Sequence, residues 1–326
     1  MSWKPLQQQS LAHGMLIDHA ALHELDDIDS LIDWSAITHL LRDIHAKPKG
    51  EKAWPPLLMF KALLLQVWYK LSDPGLEKQL ARDLLFRRFI HLDIAESVPD
   101  HSTIWRFRQL LESGKLLQPL LAEVNRQLAE HSLYIQSGEV SIIDASVIEA
   151  KQCRPNKKKD GSNTQDPDAK WNVKAGSDGQ RKSTYGFKAH INVEEEGFIK
   201  ATDYTAGNVH DSNCFIGLLS GRERAAYADS AYPSEKHDQW LSDRHIKNCL
   251  IKRAYRNRPL TADEKRFNRQ HSGTRSIVER VFGVLKQHYG MGKARYLGIA
   301  RNRTRFEMMC IAHNLKRGVS IQRSCA

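Results

Sequence analysis

The sequence predicts an α+β protein with two parts, an all-helical region over residues 1–136 and a mixed-sheet domain over residues 137–326. Two observations favour this division. Apolar residues recur at helical spacing through the first part, whereas short β-branched runs alternate with helical patterns in the second part. Strands that alternate with helices along a chain form a sheet whose faces are covered by those helices.

Three helices are predicted in the first part. The first begins near Pro56, and the sequence Asp-Pro-Gly at positions 73–75 ends it. A second helix is expected at about 76–89. A third follows Asp100 or Ser102, either of which can cap a helix through its side-chain oxygen.

This third helix opens with polar residues and carries Arg106 and Arg108. A short helix, a turn and a helix of this kind can form a helix-turn-helix, which binds the major groove of DNA. The same pattern is typical of three helices that pack together without contacting DNA. Sequence alone leaves both interpretations open.

The second part begins with a buried strand, followed by a polar stretch at 151–184 that predicts a long mobile loop. Two further strands follow this loop, which makes three in all, and helices and strands then alternate, an order found in ribonuclease-H-like mixed-sheet folds with helices on the sheet faces. The predicted strands are 140–148, 185–194, 198–204, 225–228 and 248–252, and the predicted helices are 210–219, 234–245, 261–270, 274–288 and 301–318.

Two aspartates occupy strand positions where a carboxylate needs a partner. Asp144 lies in the middle of the apolar strand 140–148, and Asp229 directly follows the apolar run 225–228. An ionised carboxylate is costly to bury unless a cation or strong hydrogen-bond donors compensate. Binding sites also gather at strand ends in α/β sheets. Both aspartates are therefore candidate metal ligands.

Glu279 is the third candidate ligand. On a helix through 274–288, Arg275, Glu279 and Lys286 share one side, next to an apolar stripe that includes Val278 and Phe282. The carboxylate could therefore reach the sheet while the two bases contact phosphate. The alternative is a surface glutamate that pairs with Arg275 one turn earlier.

Three carboxylates in this arrangement suit phosphodiester cleavage by two divalent ions, which needs hard oxygen ligands around ions about 3.5–4 Å apart. One ion lowers the pKa of the attacking water or 3′-hydroxyl, and the other neutralises the leaving oxygen. We therefore expect Asp144, Asp229 and Glu279 to be catalytic and to converge on two Mg2+ ions, for which Mn2+ could substitute.

The net charge of +11 is concentrated in the C-terminal quarter of the chain, where residues 251–326 contain 18 Lys and Arg but only 4 Asp and Glu. A localised cationic surface of this kind indicates a polyanionic partner such as nucleic acid. No apolar run reaches the roughly 18 residues that a membrane helix needs. The five scattered cysteines argue against a disulfide framework.

Five motifs in order resemble the DDE transposases of bacterial insertion sequences, in particular insertion-sequence family five of the family-four and family-five superfamily. Segments 143–146 and 228–232 resemble the motifs around the first and second aspartates. Segment 185–190 resembles a Tyr-Gly-Phe-Lys-x-His strand, and segment 208–211 an Asn-x-His-Asp motif. Arg275, Glu279 and Lys286 fit the end of a Tyr-Arg-Glu-Lys signature, whose tyrosine is replaced here by Ser272.

The resemblance implies a ribonuclease-H-like catalytic core that cleaves DNA at terminal inverted repeats and transfers the 3′ ends into target DNA. The implied partners are double-stranded DNA and a second copy of the chain, because two element ends must be joined. A cytoplasmic, nucleoid-associated enzyme is expected. Two alternatives are a metal-dependent nuclease of the same fold without strand transfer, and a DNA-binding protein without catalysis.

Further candidate residues are expected around this site. His190, His210 and Asp211 could support the carboxylates through hydrogen bonds, although His210 or Asp211 could equally cap the following helix. Trp171 could stack on a base or anchor its loop. The candidates for DNA contact are Arg106, Arg108, Arg275, Lys286, Lys293, Arg295, Arg301, Arg303 and Arg305.

Overall fold

The computed structural model of the chain divides into two compact units, which are described separately. The first comprises residues 1–133 together with 307–326, and the second comprises residues 134–306. The residues that the structure describes are 3–4, 6, 18–44, 52–131, 133, 140–153, 165–175, 181–255 and 258–325.

Helix α3 is the centre of the first unit, because it is buried on nearly all sides and a helix of this kind lies inside a helical core. It begins at Pro56, as the sequence predicts. Proline is favourable at the first position of a helix, because a backbone N–H there would have no hydrogen-bond partner within the helix. The helices of this unit that precede the sheet are α1 (Asp26–Leu31), α2 (Trp34–Leu41), α3 (Pro56–Trp68), α4 (Asp73–Arg82), α5 (Leu84–Phe89), α6 (His101–Ser113) and α7 (Leu117–Glu130).

Side-chain caps mark the start of several helices of this unit. Asp100 accepts a hydrogen bond from the backbone N–H of Thr103 at 2.6 Å, so Asp100 is the cap of α6. The helix predicted at 76–89 is two helices, because Asp83 interrupts it and accepts hydrogen bonds from the next helix. The third predicted helix is likewise divided, into α6 and α7.

The last helix, α10 (Ile299–Cys325), differs from the sequence-based division of the chain. Its residues from 307 onward belong to the helical unit, whereas all of 137–326 was expected in the sheet domain. Met308, Ile311 and Leu315 are buried there, and the indole of Trp68 donates to the carbonyl of Ala312 at 3.0 Å.

The second unit contains a six-stranded mixed sheet, which confirms the predicted fold class. On one side of β3 lie β2 and β4, both antiparallel to it; on the other side β1 is antiparallel to β3, and β5 and β6 continue parallel to β1. The elements are β1 (Val140–Glu149), β2 (Lys170–Ala175), β3 (Arg181–Val193), β4 (Ile199–Ala206), β5 (Ala225–Ala228), α8 (Glu235–Asp243), β6 (Lys247–Asn248) and α9 (Ala262–Tyr289).

Three sequence-based expectations are wrong in this unit. The loop expected at 151–184 includes β2, which forms a hairpin with the start of β3; positions 154–164 and 176–180 lie outside the described residues. The helix expected at 210–219 is two short 3-10 turns. The helices expected at 261–270 and 274–288 form one helix, α9, because the backbone stays helical through Gly273.

Gly186 lies where β3 passes from its hairpin with β2 to its pairing with β4. A Cβ atom at this position would lie 1.9 Å from the carbonyl oxygen of Ile148, which no side chain permits. The glycine of the 185–190 motif is therefore required by close packing of two strands.

Among the described residues, no helix has the length and apolar character needed to cross a membrane.

Candidate active site

Strand register places the two candidate aspartates beside each other. In the parallel pair β1 and β5, Ile143 lies opposite Ala228. Asp144 and Asp229 are the next residues along the two chains, so both stand where the carboxyl end of β5 meets the middle of β1. Both are half-buried, which leaves the two carboxylates accessible from the sheet edge.

Backbone N–H groups hold both carboxylates. Asp144 Oδ1 accepts a hydrogen bond from the N–H of Ala145 at 2.8 Å. Asp229 Oδ1 accepts one from the N–H of Ala231 at 2.8 Å, within the turn that follows β5. The same turn is closed by the N–H of Tyr232, which donates to the carbonyl of Asp229 at 3.2 Å.

The hydroxyl of Tyr232 is buried, and within the described part of the chain it has no hydrogen-bond partner. Its ring packs against Phe215, with 5.7 Å between the ring centroids. Burial raises the pKa of Tyr232 well above its ordinary value, and the negative charges of Asp144, Asp211 and Asp229 raise it further. A neutral hydroxyl therefore lies among three carboxylates, a feature that was not predicted from the sequence.

A buried ion pair lies close to this tyrosine. Lys188 Nζ is 2.7 Å from Asp211 Oδ1 and donates to the carbonyl of Val209 at 2.7 Å. The side chains of Lys188 and Asp211 are 8% and 16% exposed, so the pair is largely removed from water. Sequence reasoning missed Lys188, although a lysine within an otherwise apolar strand was a usable signal.

The two candidate histidines have different surroundings. His190 is fully buried, with Nε2 2.9 Å from Thr205 Oγ1, and burial lowers its pKa. Its Nδ1 has no hydrogen-bond partner among the residues that the structure describes. His210 instead accepts a hydrogen bond from the N–H of Ser212 and begins a 3-10 turn. The capping interpretation therefore holds for His210, whereas His190 and Asp211 belong to buried polar surroundings.

Glu279 does not join the two aspartates. It lies on α9, which packs against β1, but its side chain is 61% exposed and lies 3.6 Å from Arg275. Among the described residues, no three His, Cys, Asp or Glu side chains are grouped so that they could hold a metal ion. In this structure the carboxylate of Glu279 faces the opposite charge of Arg275, one turn earlier on the same helix.

The residues present fit a divalent cation in part. Asp144 and Asp229 offer hard carboxylate oxygens on neighbouring strands, which suits Mg2+. The unpartnered hydroxyl of Tyr232 indicates that the surrounding polar groups are not mutually satisfied in this conformation. Glu279 completes the set only if its side chain leaves Arg275.

Two predicted DNA contacts serve the protein's own structure. Arg108 is buried and donates to Asp73 at 2.6 Å and to Gln66 at 2.8 Å, so it joins α6 to α4. Arg305 donates to the carbonyls of Tyr289 and Gly290 and thereby binds the C-terminal end of α9. Both guanidinium groups are thus used in contacts within the protein, and Arg305 is half-buried.

The side chains of the other residues predicted to contact DNA differ in their exposure and in their contacts within the protein. Arg303 donates to the carbonyl of Tyr204 but remains 46% exposed. Lys293 lies beside the end of β1, 3.4 Å from Glu149. Arg275 is mostly buried and contacts Glu279, and Arg295 is half-buried. The side chains of Arg106, Lys286 and Arg301 are exposed.

Two family comparisons cover most of the chain. Residues 17–110 match a family described as "Transposase domain (DUF772)". Residues 135–315, more than half of the chain, match the family described as "Transposase DDE domain". The second match contains the whole sheet together with Asp144, Asp229 and Glu279. The mixed sheet, the paired strand aspartates and these two matches together show that the chain belongs to the DDE-domain transposases.

Proposed function

We propose that this transposase cleaves DNA at the terminal inverted repeats of an insertion sequence of family-five type and joins the freed 3′ ends to target DNA. The observation that supports the proposal best is the register of β1 and β5, which brings Asp144 and Asp229 to neighbouring positions. Two carboxylates at a strand end are suited to hold a cation where a phosphodiester can enter.

Asp144, Asp229 and Glu279 would hold the metal ions, Mg2+ or, as a substitute, Mn2+. When bound, two such ions lower the pKa of the attacking hydroxyl and stabilise charge on the leaving oxygen. The two aspartates provide the fixed part of this ligand set, because backbone N–H groups orient both of them.

Glu279 provides the adjustable part. Its carboxylate is 61% exposed and lies 3.6 Å from Arg275, whose side chain is 18% exposed. A change in the torsions of this exposed side chain would move the glutamate toward the aspartates. The same change frees the guanidinium of Arg275 to bind a DNA phosphate.

DNA would approach along the basic residues near the end of β1. Lys286, Lys293, Arg295 and Arg301 supply cations, which position the DNA backbone and do not read its sequence. Arg106, on the helical unit, would add a contact if α4 to α6 act as a helix-turn-helix. Binding should weaken steeply as salt increases. A dimer is proposed for the assembled complex, because two element ends must be joined.

A joining assay tests this function. A labelled duplex that ends in the terminal inverted repeat is incubated with the protein, a supercoiled plasmid and Mg2+. Plasmid joined to label is the expected product, and it should be absent with Asp144→Asn but present with Asp263→Asn, which removes a charge from an exposed residue. Nicks without joining would favour the nuclease alternative, and binding without cleavage would favour a DNA-binding protein that lacks catalysis.

A further inference from the structure

Three of the sequence motifs contribute one residue each to a buried polar cluster near the two strand aspartates. Segment 185–190 supplies Lys188, segment 208–211 supplies Asp211, and segment 228–232 supplies Tyr232. The ammonium of Lys188 lies 2.7 Å from Asp211 Oδ1. The charge of Asp211 is also one of those that raise the pKa of Tyr232. The three side chains are therefore close neighbours, although they are distant in the sequence.

This cluster lies on the face of the sheet opposite to the side chain of Asp144. Strand β3 places Ile191 opposite Asp144, and Lys188 is three positions from Ile191, so its side chain projects to the other face. The ring of Tyr232 packs with Ile143, which precedes Asp144 on β1 and therefore also projects to the other face. Any effect of Lys188 on a cation at the aspartates must pass through other residues.

Two polar atoms of the cluster complement each other. Among the residues that the structure covers, neither the hydroxyl of Tyr232 nor Oδ1 of Asp211 has a directed hydrogen bond, and both atoms are buried. A phenol hydroxyl donates one hydrogen, whereas an ionised carboxylate only accepts. Buried polar groups are nearly always paired, because an unsatisfied group costs free energy. The hydroxyl and the carboxylate can satisfy each other, directly or through one bridging water.

Tyr232 connects this cluster to Asp229. Its backbone N–H donates to the carbonyl of Asp229 at 3.2 Å. In the same turn, the N–H of Ala231 donates to Asp229 Oδ1 at 2.8 Å. The position of Tyr232 therefore affects the turn that orients the carboxylate of Asp229.

We propose that Asp211 is a positioning residue of the metal site, which acts through the hydroxyl of Tyr232 on the turn that carries Asp229. Without a cation, the negative charges of Asp144 and Asp229 compete with Asp211 for the single hydrogen of this hydroxyl. When a divalent cation is bound, that competition ends, and the hydroxyl donates to Asp211 and fixes the turn. Lys188 compensates the charge of Asp211 and holds its carboxylate. The proposal rests on the function proposed above, because it takes the two strand aspartates as metal ligands.

Titration of Mn2+ into the DNA-free protein tests the proposal without a cleavage step. Tyr232→Phe should lower the Mn2+ affinity about 10-fold, as is typical when a residue that orients a metal ligand is lost. Lys188→Met with Asp211→Leu should lower it to a similar extent, although this double variant recovers most of the stability that Lys188→Met alone loses. All three substitutions together should cause no further loss, because the hydroxyl and its acceptor form one contact.

The tyrosine Raman doublet reports the hydrogen bond itself, because the ratio of its two bands depends on whether the hydroxyl donates. Addition of Mn2+ should change this ratio in the unchanged protein. The change should be lost in Tyr232→Phe and in the double variant Lys188→Met with Asp211→Leu. A purely structural role of the ion pair would not produce this signature.

Lys200→Met is the matched control for the loss of a lysine from the sheet. Lys200 is half-buried on β4, and its Nζ donates to the carbonyl of Val140 and to Ser141 Oγ, both at 3.0 Å. These two acceptors lie at the start of β1, away from Asp144. The substitution should lower stability in denaturant unfolding and leave the Mn2+ affinity unchanged.

Two results would overturn the proposal. One is a loss of about 100-fold in the triple variant, since additive effects would mean that Tyr232 and Asp211 act separately. The other is an unchanged Mn2+ affinity in the double variant. Asp144→Asn identifies which proposal has failed. If it lowers Mn2+ binding, only the role of Asp211 is contradicted; if it does not, the metal site of the proposed function is wrong as well.

Discussion

The two strand carboxylates and the helix carboxylate of this transposase are held in different ways. Asp144 and Asp229 are placed by the backbone, through the register of β1 and β5 and hydrogen bonds from N–H groups. Glu279 is placed by its side-chain torsions and by a 3.6 Å contact with Arg275. The first arrangement resists change, whereas the second can be altered by a rotation of one exposed side chain.

This difference suggests a division of roles. We propose that the fixed pair of aspartates binds a first cation before DNA arrives, and that Glu279 joins only when the charge of the assembled site outweighs its attraction to Arg275. Metal ligands on rigid elements fix the geometry of a metal site. A mobile ligand allows the same site to be completed in a later step. Four substitutions test this division of roles.

Asp144→Asn should have the largest effect. We expect strand joining to fall by about 10³- to 10⁴-fold, because the substitution removes a ligand on which the transition state depends. The apo protein should melt at the same temperature or slightly higher, since one of two neighbouring negative charges is lost. A gel assay for joined product and a thermal melt measure the two effects. Cleavage that survives this substitution would remove Asp144 from the metal site.

Glu279→Gln should reduce joining by about 10²- to 10³-fold, in the range seen when one stabilising group is lost. It should nonetheless leave Mn2+ binding to the DNA-free protein unchanged, because only the strand aspartates bind at that stage. Isothermal titration of Mn2+ into the free protein separates the two. An equal loss of Mn2+ affinity in Asp144→Asn and Glu279→Gln would show that all three carboxylates act together from the start.

Lys188→Met tests whether the strand side of the site is stiffened by its buried ion pair. Removing one partner leaves Asp211 as a largely buried, unpaired charge, which typically costs about 3–5 kcal/mol of unfolding free energy. Denaturant unfolding measures this loss. The double variant Lys188→Met with Asp211→Leu should recover most of it, and failure to recover would indicate that Lys188 stabilises the fold in another way.

Tyr232→Phe should have the smallest effect on the fold and a selective effect on the site. The hydroxyl has no partner to lose, so stability should stay within about 0.5 kcal/mol. If the hydroxyl orients a carboxylate when metal binds, Mn2+ affinity should fall by about 10-fold or more. Tyr289→Phe, at a buried tyrosine on α9, is the matched control and should leave Mn2+ affinity unchanged.

Local sequence patterns predicted the strand aspartates and the mixed sheet, because alternation and apolar runs depend on neighbouring residues. They did not reveal that Arg108 is buried, since its partner Asp73 lies 35 positions away. The membership of residues 307–326 in the helical unit was missed because that unit's core is assembled from distant segments. Hairpin β2–β3 was missed because polar composition resembles a loop. The side-chain torsions of Glu279 could not be predicted, because the periodicity of a sequence does not determine the conformation of an exposed side chain.

The most direct test of the central claim is a crystal structure of the protein bound to a terminal-repeat duplex and Mn2+, with the ions located by anomalous scattering. We predict anomalous peaks bounded by Asp144 and Asp229, with Glu279 turned away from Arg275 and toward the ions. Peaks at any other group of residues would contradict the assignment of the metal site. Peaks at the aspartates with Glu279 still on Arg275 would contradict its role as the mobile ligand.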